Sequence, residues 1–240
     1  MALTACVTGA DHGLGLALAK TLLEQGDRVV GGRYAPEDGD GLRELRERYG
    51  DRLLVVRMDV SSEDSVTAAA EAIADFADRI DVVINNAVIL GDITRTIEDE
   101  LDYAEMLRAY DVNALGPLRV NRALLPLVLR SAHKFIINIS SEAGSIGDCY
   151  RSGWFAYAMS KAALNMQTAL LHNHLRDAGA TVLSVHPGWV RTFMQGRLDA
   201  AATYTPEEAA GHIITLARSP ERFRSDKPMF VDLLGKPLPW

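Results

Sequence analysis

Tyr157 and Lys161 are the two residues of this sequence best suited to proton transfer. They stand four positions apart, and the run that follows has good helix formers and no Gly or Pro before Gly179. A helix would therefore place both side chains on one face, about 6 Å apart. A nearby ammonium favours phenolate, so we expect Lys161 to lower the pKa of Tyr157 from about 10. The pair predicts a general acid and base, although the same spacing also occurs on exposed helices.

A glycine-rich turn near the start of the chain predicts a dinucleotide site. It lies between a strand-like run, Leu3 to Thr8, and a helical pattern that ends at Gly26. Glycines let the backbone approach a pyrophosphate, whose charge the N-terminus of the helix stabilises. An ordinary turn is the alternative interpretation. The cofactor contacts predicted in this turn are Thr8, Gly9, Asp11, His12, Gly13, Leu14 and Gly15.

The choice between NADP(H) and NAD(H) depends on the residues after the second predicted strand. Arg33, two residues after the predicted strand, could bind a 2′-phosphate, and His12 could add a second donor, so the sequence favours NADP(H). Arg33 could instead be a solvated surface charge. Glu37 and Asp38 are the nearest acids for an NAD(H) site.

Polar residues also follow the third, fourth and sixth predicted strands. Asp59 could accept a hydrogen bond from the adenine amine, or it could cap the next helix together with Ser61 and Ser62. The amides of Asn85 and Asn86 could tie neighbouring loops together. The turn after the sixth strand could place backbone groups against the nicotinamide carboxamide. The further predicted cofactor contacts are Asp59, Val60, Asn86, Ala87, Pro187, Gly188, Val190 and Thr192.

Ser141 follows the fifth predicted strand, at the edge where open α/β sheets bind ligands, and is a candidate donor to a substrate oxygen. The loop from Ser145 to Phe155 could form an apolar wall for a substrate or merely pack on the surface. The residues predicted to line the substrate pocket are Ser141, Cys149, Tyr150, Trp154, Phe193 and Met194.

A helix from about Glu98 carries Asn113, with Pro117 four residues later. Proline has no N–H to donate to the carbonyl of Asn113, so the helix should be locally distorted. The freed carbonyl could hold a water molecule. A plain kink without a ligand is the alternative.

Short β-branched runs alternate with helical patterns along the whole chain. Strict alternation predicts βαβ units and a parallel sheet covered on both faces, which is a Rossmann-like, doubly wound α/β fold of about seven strands. We expect a single domain over residues 1–240, with a cofactor half at about 1–132 and a catalytic and substrate half at about 133–240. The predicted strands are Leu3 to Thr8, Arg28 to Gly31, Leu53 to Met58, Asp81 to Asn85, Lys134 to Ser140, Thr181 to His186 and Pro228 to Leu233.

Composition limits the partners and the compartment. A net charge of -7 argues against nucleic acid or an acidic membrane surface as a partner. Cys6 and Cys149 are the two cysteines, and they lack the spacing of metal ligands and fit a reducing compartment. With no apolar run of about 20 residues and no room for a signal peptide, we expect a cytoplasmic protein with a small-molecule ligand.

These motifs together resemble the short-chain dehydrogenase/reductase family, from Leu3 to the C-terminus. The family's Thr-Gly-x-x-x-Gly-x-Gly falls on residues 8–15 and its Asn-Asn-Ala on residues 85–87. The remaining matches are the family's catalytic set, Asn113, Ser141, Tyr157 and Lys161. Within the family, the sixteen-residue step from Ser141 to Tyr157 and the terminal Leu-Pro-Trp are similar to C-factor and sniffer-type carbonyl reductases.

The resemblance implies an oxidoreductase in which NADPH exchanges hydride with a ketone or aldehyde. Tyr157 would protonate the alkoxide while Ser141 steadies that oxygen. Lys161 would also hold the nicotinamide ribose, and Asn113 would position a water molecule linked to Lys161. A nucleotide-dependent signalling or sensor protein of the C-factor type is the alternative, although it would not need the intact proton relay.

The resemblance also implies an assembly and two changes in the pocket. Helices at about Glu98 to Arg130 and Trp154 to Arg176 commonly form a subunit interface in the family, so we expect a homodimer or homotetramer. Val88 replaces the usual glycine after Asn-Asn-Ala, and Phe193 stands where the subgroup often has aspartate. Both departures affect the shape of the pocket rather than the proton-transfer residues.

Overall fold

Seven parallel strands form one sheet in the computed structural model, which describes residues 2–240. The strands are β1 (Thr4–Thr8), β2 (Arg28–Arg33), β3 (Leu53–Arg57), β4 (Val82–Asn85), β5 (Phe135–Ile139), β6 (Thr181–His186) and β7 (Met229–Asp232). Their order is β3-β2-β1-β4-β5-β6-β7, so the chain starts in the middle, builds one half outward and crosses over to build the other. This arrangement confirms the predicted single-domain, doubly wound α/β fold.

Helices cover both faces of the sheet. They are α1 (Gly13–Glu24), α2 (Asp40–Tyr49), α3 (Glu63–Phe76), α4 (Tyr103–Tyr110), α5 (Gly116–Arg130), α6 (Phe155–Leu175) and α7 (Pro206–Ala217). One apolar cluster joins the sheet to α1 and α7, and a second joins it to α3 and α5. The central strands β1, β4 and β5 are buried along their whole length, as expected for parallel strands with helices on both sides. No helix within residues 2–240 has the length and apolarity needed to cross a membrane.

The helix expected from about Glu98 begins later, at Tyr103. Asp102 is its N-cap residue and accepts a 3.0 Å hydrogen bond from the Glu105 amide. The residues before it form a separate turn, in which the Thr96 amide donates to the Asp99 carboxylate at 2.7 Å. The prediction of a helix start at Glu98 is therefore wrong, because a turn stabilised by Asp99 precedes the capped helix.

The predicted distortion near Asn113 is confirmed. Residues Asp111–Leu115 form a π-helical turn between α4 and α5, and the Gly116 amide donates to the carbonyl of Asp111, five residues back. The widened turn leaves carbonyl groups accessible to side chains, and Gln167 of α6 donates to the Ala114 carbonyl at 2.8 Å. The π-turn thus joins α6 to the segment between α4 and α5.

Gly144 allows α6 to lie close to the end of β5. A Cβ atom at Gly144 would stand 2.7 Å from the carbonyl carbon of Lys161, a backbone atom that cannot turn away. The glycine therefore sets the distance between the β5 edge and the first turns of α6.

Gly144→Ala should destabilise the protein by about 1–3 kcal/mol, because α6 must move away from the loop after β5. Gly211→Ala is the matched control, since a Cβ atom there meets open space on α7. That variant should gain up to about 1 kcal/mol from better helix propensity. Thermal unfolding measures both changes, and equal stabilities for the two variants would contradict the proposed close approach.

Candidate active site

Tyr157 and Lys161 lie on the buried face of α6, against the carboxyl end of β5. The Lys161 ammonium donates a 2.7 Å hydrogen bond to the carbonyl of Ile139, the last residue of β5. Its nitrogen lies 5.6 Å from the centre of the Tyr157 ring, and both side chains are buried. Helical spacing thus brings the two groups together as the sequence predicts, and Ser141 lies just beyond Ile139 in the same corner.

Burial controls the ionisation of both groups. It raises the pKa of Tyr157 to about 12, against the opposite effects of a hydrogen bond with Ser141 and of the Arg151 charge. Burial also lowers the pKa of Lys161 to about 7. The expectation of a Tyr157 pKa below about 10 is therefore wrong for this chain, because loss of hydration on burial has the largest effect on it.

Glu142 holds the hydroxyl of Ser141. The Ser141 Oγ lies 2.6 Å from Oε2 of Glu142, and it also accepts a 3.1 Å hydrogen bond from the Ala143 amide. Arg151 forms an ion pair with the other carboxylate oxygen of Glu142. The sequence-based prediction identified Ser141 but missed both charged residues, for which the only signal was an acid directly after the serine.

Asn113 uses its side chain to fix two neighbouring segments. Its Oδ1 accepts from the Ile89 amide at 2.9 Å, and its Nδ2 donates to the Ile89 carbonyl at 2.8 Å and to Ser160 Oγ at 2.9 Å. Ser160 directly precedes Lys161 on α6 and donates to the Tyr157 carbonyl. Asn113 therefore joins the π-turn to the active-site turn of α6.

The glycine-rich turn lies between the ends of β1 and β4, where the strand order reverses. Gly9 and Gly13 have φ angles of 65° and 55°, and a Cβ atom at Gly15 would overlap the carbonyl oxygen of Gly9. The side-chain oxygen of Thr8 accepts hydrogen bonds of 3.0 Å from the amides of Asn86 and Ala87. The side-chain amide of Asn86 donates in turn to the carbonyls of Thr8 and Gly9, at 3.0 and 3.2 Å, and so ties the two loops together as predicted.

The N-terminus of α1 is open toward this turn. His12 occupies the N-cap position and is exposed, and its side chain makes no capping hydrogen bond to the helix amides. Leu14 is buried beneath the turn in the core. A helix N-terminus reached by a close, glycine-lined backbone fits a pyrophosphate group.

Arg33 is the last residue of β2, which runs two residues beyond the predicted end at Gly31, and it is not an isolated cation. Its Nε lies 2.6 Å from Asp38 Oδ1, and its Nη1 also donates to the Ala35 carbonyl. Arg46 of α2 contacts the second oxygen of Asp38 at 2.7 Å. The interpretation of Arg33 as a freely solvated charge is wrong, and an acid does lie at the end of this strand.

The carboxylates of Asp11 and Asp59 accept hydrogen bonds from residues in the loops after β2 and β3. The Asp11 carboxylate accepts from the amides of Tyr34 and Ala35, which ties the glycine-rich turn to the loop after β2. Asp59 accepts from the amide and hydroxyl of Ser61, while Ser62 is the N-cap residue of α3. The helix-cap interpretation is therefore confirmed for Ser62 and not for Asp59. Val60 lies beside Gly116, next to the π-turn.

The turn after β6 reaches the glycine-rich turn. A Cβ atom at Gly13 would lie 3.5 Å from Cγ2 of Thr192, which places this threonine beside the N-terminus of α1. Gly188 follows Pro187 and has a φ angle of 75°, and Val190 pairs with Tyr204 in an isolated bridge. The contacts predicted after β6 thus lie at the same edge as those after β1.

The loop before α6 forms one side of the site. The Trp154 ring packs edge-on against the Tyr157 ring, with the ring centroids 6.2 Å apart. The backbone of Trp154 has a φ angle of 65°, which is unusual for a bulky residue. The Arg151 guanidinium stacks on Tyr150 at 4.5 Å and on Trp154 at 4.7 Å. Tyr150 is otherwise highly exposed. Of the other predicted pocket residues, Cys149, Phe193 and Met194 are exposed.

One surface concavity lies away from these residues. It measures about 700 Å³ and is lined by residues that include Arg28, Asp51 and Phe76, at the β3 edge of the sheet. None of the motif residues lines it. The motif residues lie instead at the carboxyl edge of the sheet, where open α/β sheets bind ligands.

The fold and the grouped residues define a doubly wound α/β protein with a glycine-rich turn and a buried polar corner at the carboxyl edge of its sheet. Residues 3–203 match the family model described as short chain dehydrogenase. The chain therefore belongs to the short-chain dehydrogenase family, and it is an oxidoreductase.

Known proteins similar to this chain include both sequence relatives and solved structures. C-signal of Myxococcus xanthus is 37% identical over 162 residues, covering 67% of this chain and 93% of C-signal. The NADPH-bound carbonyl reductase from chicken fatty liver superposes with a TM-score of 0.87 at 30% identity, covering 100% of this chain and 94% of that one. Carbonyl reductase Sniffer of D. melanogaster gives a TM-score of 0.89 at 26% identity, with both chains fully covered at 100%.

Proposed function

We propose that this protein transfers hydride between NADP(H) and a small ketone or aldehyde, or the corresponding alcohol. In the reducing direction, a carbonyl compound, NADPH and a proton give an alcohol and NADP⁺. The observation that carries the proposal is the placement of Tyr157, Lys161 and Ser141 in one buried corner at the carboxyl edge of the sheet that also carries the glycine-rich turn. The similarity to two carbonyl reductases supports the same class of substrate.

Tyr157 is the proposed general acid. Because burial raises its pKa to about 12, Tyr157 keeps its proton at neutral pH and can donate it to the oxygen of a carbonyl that is being reduced. When bound, the nicotinamide supplies the hydride. Ser141 fixes the substrate oxygen, and Lys161 is close enough to the Tyr157 ring to stabilise negative charge there. Asn113 positions the turn of α6 that carries both groups, and the predicted water linked to Lys161 remains part of this proposal.

The residues present fit a dinucleotide. The open N-terminus of α1 and Gly9, Gly13 and Gly15 would hold the pyrophosphate. Arg33 would face the adenosine end, whereas Thr192 would lie toward the nicotinamide end. Supporting contacts are proposed for Thr8, Asp59, Val60, Asn86, Ala87, Pro187, Gly188 and Val190.

Tyr157→Phe should lower the rate of carbonyl reduction by at least about a hundredfold, because the variant lacks the proton donor. NADPH affinity should change by no more than a few-fold, since the phenol contributes little to cofactor binding. Steady-state kinetics against aromatic aldehydes, diketones and quinones, together with NADPH titration, measure both effects. Tyr49→Phe, far from the corner, serves as the control and should keep parental kinetics. Turnover of the Tyr157→Phe variant within tenfold of the parent would disprove the role of Tyr157 as the acid.

The cofactor is proposed to be NADP(H) rather than NAD(H). The support is the guanidinium of Arg33 at the end of β2 and a carbonyl reductase relative that binds NADPH. The ion pair between Arg33 and Asp38 must rearrange to admit a 2′-phosphate, because one guanidinium edge already faces the carboxylate. The preference should therefore be smaller than a free arginine would give.

Arg33→Ala should weaken NADPH binding by about tenfold and leave NADH binding nearly unchanged. The tenfold loss is the lower end of what charge-assisted hydrogen bonds of about 1.5–3 kcal/mol provide. The test is to measure the dissociation constants of both cofactors for the parent and for the variant. Arg224→Ala removes an exposed arginine elsewhere and should change neither constant. Equal affinities of the parent for NADPH and NADH would contradict the proposed role of Arg33.

A second copy of the chain is proposed to cover the exposed faces of α4, α5 and α6. The helix α6 carries no exposed charged side chain between Phe155 and Leu175, as in the core of a protein interface. Its neighbours α4 and α5 also carry exposed apolar side chains. The exposed apolar residues of these helices are Tyr103, Leu107, Tyr110, Leu118, Leu129, Met159, Met166 and Leu170.

Light scattering at micromolar concentration should therefore give a dimer or tetramer, a multiple of the 26.2 kDa chain. Met166→Glu should shift the mass toward a single chain, because it buries a charge in the interface. Leu198→Glu, in the loop after β6, should leave the parental mass unchanged. A parent that scatters as a single chain would show that this face is not an interface between copies.

The similarity to C-signal supports a nucleotide-dependent signalling protein as a second candidate. The two candidate functions differ in whether the proton donor is needed, because signalling by cofactor binding alone would survive Tyr157→Phe.

A cytoplasmic location is part of the first proposal and is supported by the free thiols of Cys6 and Cys149.

A further inference from the structure

Asp38 holds its carboxylate between two arginines at the adenosine end of the proposed cofactor site. Its Oδ1 accepts from Arg33 Nε at 2.6 Å, and its Oδ2 contacts Arg46 Nη2 at 2.7 Å. The Asp38 side chain is only 9% exposed, whereas that of Arg46 is 52% exposed. A carboxylate this well covered needs an ionic partner, because a buried charge left without one is strongly destabilising. Asp38 and the two arginines together carry one net positive charge, which suits a phosphate.

The backbone around Asp38 is fixed on both sides. The Asp11 carboxylate accepts from the amides of the two residues after Arg33, at 2.9 and 3.0 Å, and so holds this loop to the glycine-rich turn. Arg43 of α2 donates to the main-chain carbonyl of Asp38 at 2.8 Å. When Arg33 turns toward a 2′-phosphate, Asp38 therefore cannot follow it by a movement of the loop.

Arg46 has the freedom that the loop lacks. Its side chain is about half exposed, and it lines the concavity of about 700 Å³ at the β3 edge of the sheet. A guanidinium in this position can turn to face both oxygens of one carboxylate, the bidentate arrangement that arginine is suited to make. Arg46 can therefore keep Asp38 paired after Arg33 has left it.

We propose that Arg46 is a positioning residue that determines cofactor specificity through Asp38, because it takes over the carboxylate when Arg33 turns to the 2′-phosphate of NADP(H). The inference rests on the proposed preference for NADP(H). Without Arg46, Arg33 must stay with Asp38 or leave a covered carboxylate unpaired beside the incoming phosphate. NAD(H) has no 2′-phosphate, so its binding needs no exchange of partners. Arg46 thus favours NADP(H) without contacting the phosphate.

Arg46→Gln should weaken NADP⁺ binding by about tenfold, the effect of one charge-assisted hydrogen bond, and leave NAD⁺ binding nearly unchanged. Calorimetric titration of the protein with each oxidised cofactor measures both dissociation constants without a carbonyl substrate. The NAD⁺ constant also reports whether the cofactor site of each variant is intact.

Arg43→Gln is the matched control for the loss of charge. It removes one arginine from the same helix, one turn earlier, and that arginine pairs with Asp40 and not with the Asp38 carboxylate. The ratio of the NADP⁺ and NAD⁺ dissociation constants should therefore keep its parental value. An equal loss of NADP⁺ affinity in Arg43→Gln and Arg46→Gln would overturn the proposal, because it would show only a long-range effect of charge.

Asp38→Asn separates action through the carboxylate from direct contact with the phosphate. Asparagine keeps the size of the side chain but removes the charge that holds Arg33, so NADP⁺ affinity should rise by about tenfold while NAD⁺ affinity changes little. Adding Arg46→Gln to Asp38→Asn should then have almost no effect, since no carboxylate remains to be paired. The same loss of NADP⁺ affinity from Arg46→Gln with and without Asp38→Asn would show that Arg46 contacts the phosphate itself, and would overturn the inference.

These outcomes also separate the inference from the proposed function. Failure to reduce every carbonyl contradicts the proposed function, whereas the binding constants, which need no carbonyl, still decide whether Arg46 acts through Asp38. An Asp38→Asn variant that binds NADP⁺ no better than the parent, or that loses NAD⁺ affinity instead, overturns the inference even when the parent reduces carbonyls with NADPH.

Discussion

The hydrogen bond from the Lys161 ammonium to the Ile139 carbonyl fixes the relation between α6 and β5. It lies in a buried environment, where an unpaired ammonium would be costly, so the two elements can hardly move apart while Lys161 is charged. Gly144 lets the backbones come close enough for this contact, and Asn113 supports the same turn of the helix through Ser160. Tyr157 and Ser141 meet because of this geometry.

Loss of hydration is the dominant electrostatic effect in this corner. It raises the pKa of Tyr157 to about 12 and lowers that of Lys161 to about 7, so both groups are displaced toward their neutral forms. The charged pair of Glu142 and Arg151 stands at the border of this region. The buried Tyr157 thus lies near a charge pair whose carboxylate also accepts a hydrogen bond from Ser141.

The fold and the motif residues could be predicted because they depend on local patterns. Alternating apolar runs determined the seven strands to within one or two residues, and the helical spacing placed Tyr157 and Lys161 on one face. The partners of Arg33 and Ser141 could not be predicted, because the rotamers of Asp38 and Glu142 depend on arginines in other segments, Arg46 and Arg151. The predicted direction of the Tyr157 pKa shift was wrong for a related reason. The four-residue spacing reveals the neighbouring Lys161 ammonium but not how deeply the Tyr157 side chain is buried.

Direct transfer of hydrogen from cofactor to substrate is the central claim for this chain. Its most direct measurement uses NADPH carrying deuterium at C4 of the nicotinamide, with 4-nitrobenzaldehyde as acceptor and mass spectrometry of the alcohol formed. The account predicts that the parent, with one of the two C4-deuterated epimers of NADPH, forms alcohol with one deuterium at the carbinol carbon. Tyr157→Phe should form almost no deuterated alcohol over the same time. The account would be contradicted by alcohol without deuterium from both epimers, or by equal amounts of deuterated alcohol from the two proteins.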